Sequence, residues 1–268
     1  MVRNVDDMKS IYEKFSAKDV YRIYNLKIRV AVVVFYAMII MLGVYGITKD
    51  KSVILFYIEC FLLVLALKIY IVVINMNLNG ILVTDCDPYK LIEVNKYFID
   101  KYKRKKQTKR IRKTIDLLYA QIVACYSVIK NEDDKAMEYI DKIDMNNASL
   151  QTKINIINAR INIASYKNDQ AEYEKTKKEY YELCANKKIP KKVAKQFDEQ
   201  IKVKDLFFSG NVKRAIEISK ECYDNANYKQ KRVAYAYYLY NLYKDNEREE
   251  GEKYRQYVIK YGYKYIKL

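Results

Sequence analysis

The sequence predicts an all-α protein, in which an N-terminal transmembrane helical hairpin is followed by an α-solenoid of antiparallel helix pairs. Two long apolar runs, 30–47 and 53–74, are separated by only five residues. Apolar residues then recur at helical spacing from residue 107 onward, as expected for amphipathic helices. Only six glycines and two prolines occur in 268 residues, and both prolines stand at predicted helix starts.

The hairpin is predicted from the length of the apolar runs. At 1.5 Å per residue they reach about 27 Å and about 33 Å, close to the roughly 30 Å hydrocarbon core of a bilayer. The short connector forces the second helix to run antiparallel beside the first. Residues 30–74 are therefore predicted to cross the membrane twice, with Gly43 and Gly46 allowing the helices to pack closely.

Residues 1–29 form a charged N-terminal segment. Met8, Ile11 and Phe15 have helical spacing, and Ser16 with Asp19 resembles a capping box that restarts a helix. The segment could be an amphipathic helix lying on the membrane, or a solvated lead-in to the first span.

The orientation follows from basic residues beside the spans. Lys18, Arg22, Lys27 and Arg29 precede the first span, whereas the connector carries Lys49 and Lys51. The positive-inside rule then places both termini and the soluble domain in the cytoplasm. The five cysteines are widely spaced and odd in number, so we expect reduced thiols, in agreement with that compartment.

The second span contains two ionisable residues, Glu59 and Lys68. Such residues can mark an ion path or a charge pair. Nine positions at about 100° each place them on opposite helix faces, so we interpret them as side chains that reach toward the two headgroup layers.

Residues 75–106 are predicted to connect the hairpin to the soluble domain. The polar run 75–80 is a turn signal that ends the second span. Asp87 is a good N-cap and Pro88 a good first residue for a helix that ends near Tyr102.

A dense run of positive charge follows that helix. Its nine basic residues are Lys101, Lys103, Arg104, Lys105, Lys106, Lys109, Arg110, Arg112 and Lys113. They are candidates for contact with anionic lipid, and the alternatives are a solvated face or contact with nucleic acid or an acidic protein. No nucleic-acid recognition motif accompanies them, so nucleic acid is the less favoured partner.

Residues 107–268 read as four helix pairs separated by turns at 131–134, 167–169, 209–211 and 244–246. A small residue follows each turn, where paired helices approach closely: Ala136, Ala171, Ala215 and Gly251. Their spacings of about 35, 44 and 36 residues are near the 34-residue tetratricopeptide period. We therefore predict a tetratricopeptide-like α-solenoid, with an irregular helical bundle as the alternative.

Taken together, the hairpin, the Asp85-Cys86-Asp87-Pro88 helix start and the helical pairs resemble a known class. They resemble uncharacterised membrane proteins of low-GC Gram-positive bacteria with tetratricopeptide-like domains. The resemblance implies a scaffold and nothing catalytic.

Tyrosine is unusually abundant, with 29 residues. Tyr235, Tyr238 and Tyr243 are candidates for a partner-binding surface, although tyrosines at helical spacing more often pack as core. Aromatic residues before the turns, Tyr126, Tyr166, Phe208 and Tyr243, could fill the space between pairs. Gly262 is predicted to cap the last helix, and residues 263–268 to dock as a tail.

The sequence lacks the residue patterns of common catalytic sites. It contains no histidine, which excludes His-based acid-base chemistry and mixed-ligand zinc sites, and it has no phosphate-binding glycine loop or hydrolase elbow. We expect neither cofactor nor metal. The predicted function is a non-enzymatic, membrane-anchored adapter that binds a protein or peptide partner at the cytoplasmic face. The alternative is an immunity-like or regulatory membrane protein that acts through its hairpin.

Overall fold

A computed structural model describes residues 5–48, 53–129, 131–186, 189–243 and 248–262, and every regular element in those ranges is helical. After a short 3-10 turn at Val5–Asp7 come the α-helices α1 (Ala17–Thr48), α2 (Val53–Val83), α3 (Pro88–Lys103), α4 (Lys109–Tyr126), α5 (Asp133–Ile140), α6 (Leu150–Tyr166), α7 (Gln170–Asn186), α8 (Lys191–Phe208), α9 (Val212–Asp224), α10 (Lys229–Tyr243) and α11 (Arg248–Gly262). The predicted all-α class is confirmed. Of the predicted connector at 48–52, Thr48 is the last residue of α1. Residues 49–52, the predicted turn at 244–246 and the predicted tail at 263–268 lie outside the described residues.

Helices α1 and α2 pack against each other and are long and apolar enough to cross a membrane. Their most apolar windows are 0% and 6% buried, whereas the core helix of a soluble protein would be mostly covered. Gly43 and Gly46 have open space around a hypothetical Cβ. The prediction that they permit close helix packing is therefore wrong.

Both long helices extend beyond the apolar runs into the rest of the protein. Residues 75–80 do not form the predicted turn, because α2 continues through them to Val83. Ile74, Leu78 and Ile81 are buried on one face of this extension, and their burial outweighs the weak helix propensity of asparagine and glycine.

The N-terminal segment before α1 packs into the domain, in contrast to both expectations for it. Ser16 does begin the next helix, since its hydroxyl accepts a hydrogen bond from the Asp19 amide at 3.2 Å. Upstream, however, Tyr12 is only 1% exposed. Lys229 of α10 donates to the Met8 carbonyl at 2.8 Å, and Asp6 accepts hydrogen bonds from Arg232 and from Tyr257 of α11. The segment thus links the start of the chain to its last two helices.

Helix α3 begins as predicted. The Asp87 carboxylate accepts a hydrogen bond from the Lys90 amide at 3.1 Å, and Pro88 is the first helical residue. Helix α4 starts at its Thr108 cap and ends at Tyr126, several residues before the turn predicted at 131–134. The chain then leaves helical geometry, with Asn131 at a positive φ of 64°.

The remaining helices pack mainly with their neighbours along the chain. Helix α4 contacts α5 and α6, α6 contacts α7, α8 contacts α9, and α10 contacts α9 and α11. Helix α10 also reaches back to α2, whereas each unit of an open solenoid touches only its neighbours. A regular solenoid is therefore not confirmed.

Three of the four small residues after the turns are buried: Ala136, Ala215 and Gly251. Ala171 is exposed, so that prediction is wrong. Large side chains on α7, including Tyr173 and Tyr180, make the buried contacts there instead.

Gly262, the last residue of α11, is needed for close helix packing. A Cβ at this position would overlap the Val233 Cγ1 methyl of α10, so α10 and α11 could not approach as closely with a larger residue.

Candidate functional site

The nine basic residues of the 101–113 run lie together where α3 connects to α4, and we call them the basic surface. Eight of them are exposed, and Lys101 is half-buried. The Lys101 amine donates a hydrogen bond to the side-chain carbonyl of Asn25 in α1. Burial lowers the pKa of Lys101, and the charges of Lys105 and Arg29 lower it further. The end of α3 is therefore held against α1 beside Arg29.

The register between α1 and α3 shows how high along the hairpin the basic surface lies. At the start of α3, the Lys90 amine donates to the Tyr12 carbonyl at 2.8 Å. Further along, the rings of Phe98 and Tyr21 meet edge to face at 5.1 Å between centroids. Since Lys101 then meets Asn25, α3 runs parallel to α1 toward the apolar spans.

The α3–α4 connection lies at the edge of the apolar surface of α1. Asn25 is five residues, or about 7.5 Å, below Val30, where the first apolar run begins. Arg104 is three residues, or about 4.5 Å, beyond Lys101. The α3–α4 connection thus lies within about 3 Å of the first apolar residues, measured along the helix axes.

The connection itself is held in shape by one amide. The Gln107 side-chain nitrogen donates to the carbonyls of Tyr102 at 3.0 Å, Lys103 at 3.2 Å and Lys105 at 2.9 Å. These hydrogen bonds satisfy carbonyl groups at the end of α3. The backbone of the basic surface is therefore ordered while its long side chains remain exposed.

A second feature is a set of three adjoining cavities with volumes of about 300, 170 and 300 Å³, all lined by Tyr166. We call this set the central cleft. Helices α4, α6, α8 and α10 form most of its walls, and Leu82 at the end of α2 contributes to one of them. Polar and aromatic side chains that line it include Asn158, Asn162, Glu199, Gln200, Lys204, Tyr228, Lys231, Tyr235, Tyr237, Tyr238 and Asn241.

The three tyrosines predicted to form a partner surface occupy two different environments. Tyr235 and Tyr238 both line the central cleft, but Tyr235 is buried and only Tyr238 is half-buried. Tyr243 is buried and stacks in parallel on Tyr254 of α11, with 6.1 Å between ring centroids. Tyr243 is therefore a core residue, and its prediction as a partner-surface residue is wrong, because the α10 face that it occupies packs against α11.

Lys204 in α8 is a cleft residue that sequence reasoning missed. It is 2% exposed, and its amine donates to the Asn162 side chain at 3.2 Å and the Ser165 hydroxyl at 2.9 Å. Burial lowers the pKa of Lys204 to about 7. Among the described residues no carboxylate lies within ion-pair distance of this amine.

A sequence signal for Lys204 does exist. Phe197, Ile201 and Phe208 occupy positions i, i+4 and i+11 of α8, and all three belong to one core cluster. Lys204, at i+7, falls on the same face of the helix. A lysine on an apolar stripe is therefore expected to be buried, and its charge to be constrained.

Asn158, on the α6 wall of the central cleft, has a buried side-chain oxygen with no hydrogen-bond partner in the described part of the chain. Buried polar atoms are normally paired. An acceptor in a cleft next to Asn162 and Gln200 is positioned to receive a hydrogen bond from a bound molecule.

The chemistry of the central cleft is that of hydrogen bonding and aromatic contact. Within the ranges that the structure describes, no group of three or more acidic or cysteine side chains could hold a metal ion. Cys86 and Cys125 are buried, and burial raises the pKa of each thiol to about 12.

No family model, curated protein or solved structure matches this chain.

Proposed function

We propose that this chain is a non-enzymatic, membrane-anchored adapter, and that its central cleft binds an extended segment of a protein partner at the cytoplasmic face of the membrane. The observation that carries the proposal is the composition of the cleft, which combines amide side chains with tyrosine rings. Four consecutive helix pairs, α4 with α5 through α10 with α11, support a repeat-type scaffold around it.

An extended peptide suits this lining. Its backbone presents one donor and one acceptor per residue, and asparagine and glutamine side chains offer both functions. Asn158, Asn162 and Gln200 line the cleft on α6 and α8. The half-buried ring of Tyr238 provides apolar area with little loss of side-chain entropy on binding, whereas Tyr235 is 5% exposed and forms part of the buried cleft wall.

The charge of Lys204 favours a partner segment with a carboxylate. The amine is buried and has only neutral acceptors among the described residues. A carboxylate from the partner would stabilise the protonated amine in a site of low dielectric constant. We therefore favour an acidic segment over a basic one.

The membrane location and the orientation are part of the proposal. The exposed apolar surfaces of α1 and α2 support insertion in a bilayer. The basic residues Arg22, Lys27 and Arg29 at the domain side of α1 support a cytoplasmic domain. Labelling of Cys184 and Cys222 with a membrane-impermeant maleimide tests the orientation, because sealed right-side-out vesicles should protect both thiols until they are permeabilised.

Site-specific photo-crosslinking in native membranes tests the adapter function. We expect benzoylphenylalanine at position 238 of the full chain to give a discrete product with one protein. The same group at Tyr181 of α7, which is 49% exposed and outside the central cleft, is the matched control. Identical products from both positions, or none from position 238, would contradict the proposal.

The hairpin-based alternative is favoured by a different observation, namely the large apolar surface that α1 and α2 leave exposed among the described residues. Phe61, for example, is 66% exposed. If a crosslinker at position 61 captures a membrane protein while position 238 captures none, the hairpin is the active part. The helical domain is then its support.

A further inference from the structure

We propose that the basic surface binds the headgroups of anionic phospholipids in the leaflet that borders the domain. This inference rests on the membrane insertion of α1 and α2 that is part of the proposed function, and not on any partner of the central cleft. It rests on three observations: the height of the basic surface along the hairpin, the lack of ion pairs in it, and the hydrogen bonds that order its backbone.

The height of the basic surface places it in the headgroup layer. The α3–α4 connection lies within about 3 Å of the first apolar residues of α1, measured along the helix axes. Lys101 is fixed to Asn25, next to Arg29. Lysine and arginine side chains at this height reach the phosphate groups with their stems along the apolar boundary.

The cations of the basic surface are available for headgroups. None of the nine lies within ion-pair distance of a carboxylate among the described residues, whereas elsewhere in the domain Lys96, Lys142, Arg160 and Lys177 do. The nearby acidic residue Asp144 accepts hydrogen bonds from Asn147 instead. The charge of Arg112 acts on Asp144 without a direct ion pair, so a membrane phosphate supplies the direct ion pairing that these cations lack within the described residues.

The shape of the connection is fixed before any lipid binds. Gln107 holds the carbonyls of Tyr102, Lys103 and Lys105, and Thr108 caps α4. Lys105 and Lys106 are exposed in this ordered turn. Binding a headgroup therefore requires little ordering of the backbone, which favours binding.

Lipid is favoured over nucleic acid because of the position of the basic surface next to the apolar runs of α1 and α2. A duplex needs clear space around the cations that contact its phosphates, whereas this surface borders the layer that the bilayer occupies. The phosphates closest to it are those of the surrounding leaflet.

The test uses the full chain, reconstituted in liposomes of phosphatidylcholine with 30 mol% phosphatidylglycerol and then extracted in mild detergent. Mass spectrometry measures the ratio of phosphatidylglycerol to phosphatidylcholine that remains bound. We expect a several-fold enrichment of phosphatidylglycerol over the bulk ratio. The triple variant Lys105→Gln, Lys106→Gln, Arg110→Gln should lose most of it.

Two further variants exclude trivial explanations. The control Lys178→Gln, Lys202→Gln, Lys213→Gln removes the same charge from exposed positions on α7, α8 and α9 and should keep the enrichment. The exchange Lys105→Arg, Lys106→Arg, Arg110→Lys keeps the charge and should also keep it.

Equal enrichment in the Gln variant of the basic surface and in the wild-type chain would overturn the proposal. It would also be overturned if a labelled 20-nucleotide oligomer bound the chain in phosphatidylcholine nanodiscs and phosphatidylglycerol did not compete. Circular dichroism of every variant must match that of the wild-type chain, so that loss of enrichment reports lost lipid contact rather than unfolding.

Discussion

Replacing Lys204 by methionine should stabilise the protein at acidic and neutral pH. The lysine is 2% exposed, and burial lowers its pKa to about 7. In the unfolded chain its pKa is near the ordinary lysine value of about 10.4. Between these two values the unfolded state binds more protons than the folded state, so the free energy of unfolding rises with pH. The unfavourable effect of the buried amine is complete below pH ~7 and declines as the pH increases.

The size of the effect follows from the shift in pKa. About three and a half units at about 1.4 kcal/mol each give a ceiling of about 5 kcal/mol. Methionine loses the hydrogen bonds to Asn162 and Ser165, which are worth about 1 kcal/mol each, but it fills irregular apolar space well. We expect Lys204→Met to be about 2–3 kcal/mol more stable than the wild-type chain at pH 6, and no more stable near pH 10.

The measurement is urea unfolding of the full chain in detergent, followed by circular dichroism between pH 6 and 10. The quantity compared is the difference in unfolding free energy between the variant and the wild-type chain, because other titrating groups cancel in it. A difference that does not change with pH over this interval would refute the reasoning.

Lys177→Met is the matched control. Lys177 also lies between helices, but its amine is 2.8 Å from Asp205 and 2.9 Å from Glu174. Burial acts to lower the pKa of Lys177, but these two carboxylates outweigh it and the pKa is raised. Lys177→Met should lower the free energy of unfolding by about 1 kcal/mol, whereas Lys204→Met should raise it.

Three further predictions concern other contacts. Gly262→Ala should cost about 1–3 kcal/mol of unfolding free energy, because the new methyl overlaps Val233; in a double-mutant cycle with Val233→Ala, simple additivity would contradict this reason. Asp6→Ala removes the carboxylate that joins the N-terminal segment to α10 and α11. The rate of amide hydrogen exchange at residues 5–16 should therefore rise several-fold. An unchanged rate would count against that role of Asp6. Burial raises the pKa of Cys86 to about 12, so at pH 8 its thiol should react with maleimide at least tenfold more slowly than Cys184; similar rates measured by mass spectrometry would be inconsistent with its burial.

The sequence predicts those features that depend on neighbouring residues. The start of α3 at Asp87 and Pro88 is local, because a cap and its amide are only three positions apart. The turn before α9 is equally local, with Gly210 at a positive φ of 74° and Asn211 as the cap. The positions of both agree with the sequence prediction to within two residues.

Features that depend on distant residues were missed. Contacts between Met8 and Lys229 join positions 221 residues apart, and no periodicity in either segment indicates them. The extension of α2 through Asn75 was missed for a related reason: the polar residues of that stretch are a turn signal on their own, and only the rest of the domain shows that Ile81 is buried.

The continuity of α2 has a mechanical consequence. The helix runs without a break from Val53 in the apolar span to Val83, and Leu82 near its end forms part of the cleft wall. It behaves as a lever about 46 Å long. A tilt of about 5° around its midpoint displaces the end by about 2 Å, a distance comparable to the radius of a methyl group. If α1 and α2 are inserted in a bilayer as proposed, a change in bilayer thickness that tilts them would move Leu82 and so change the width of the cleft.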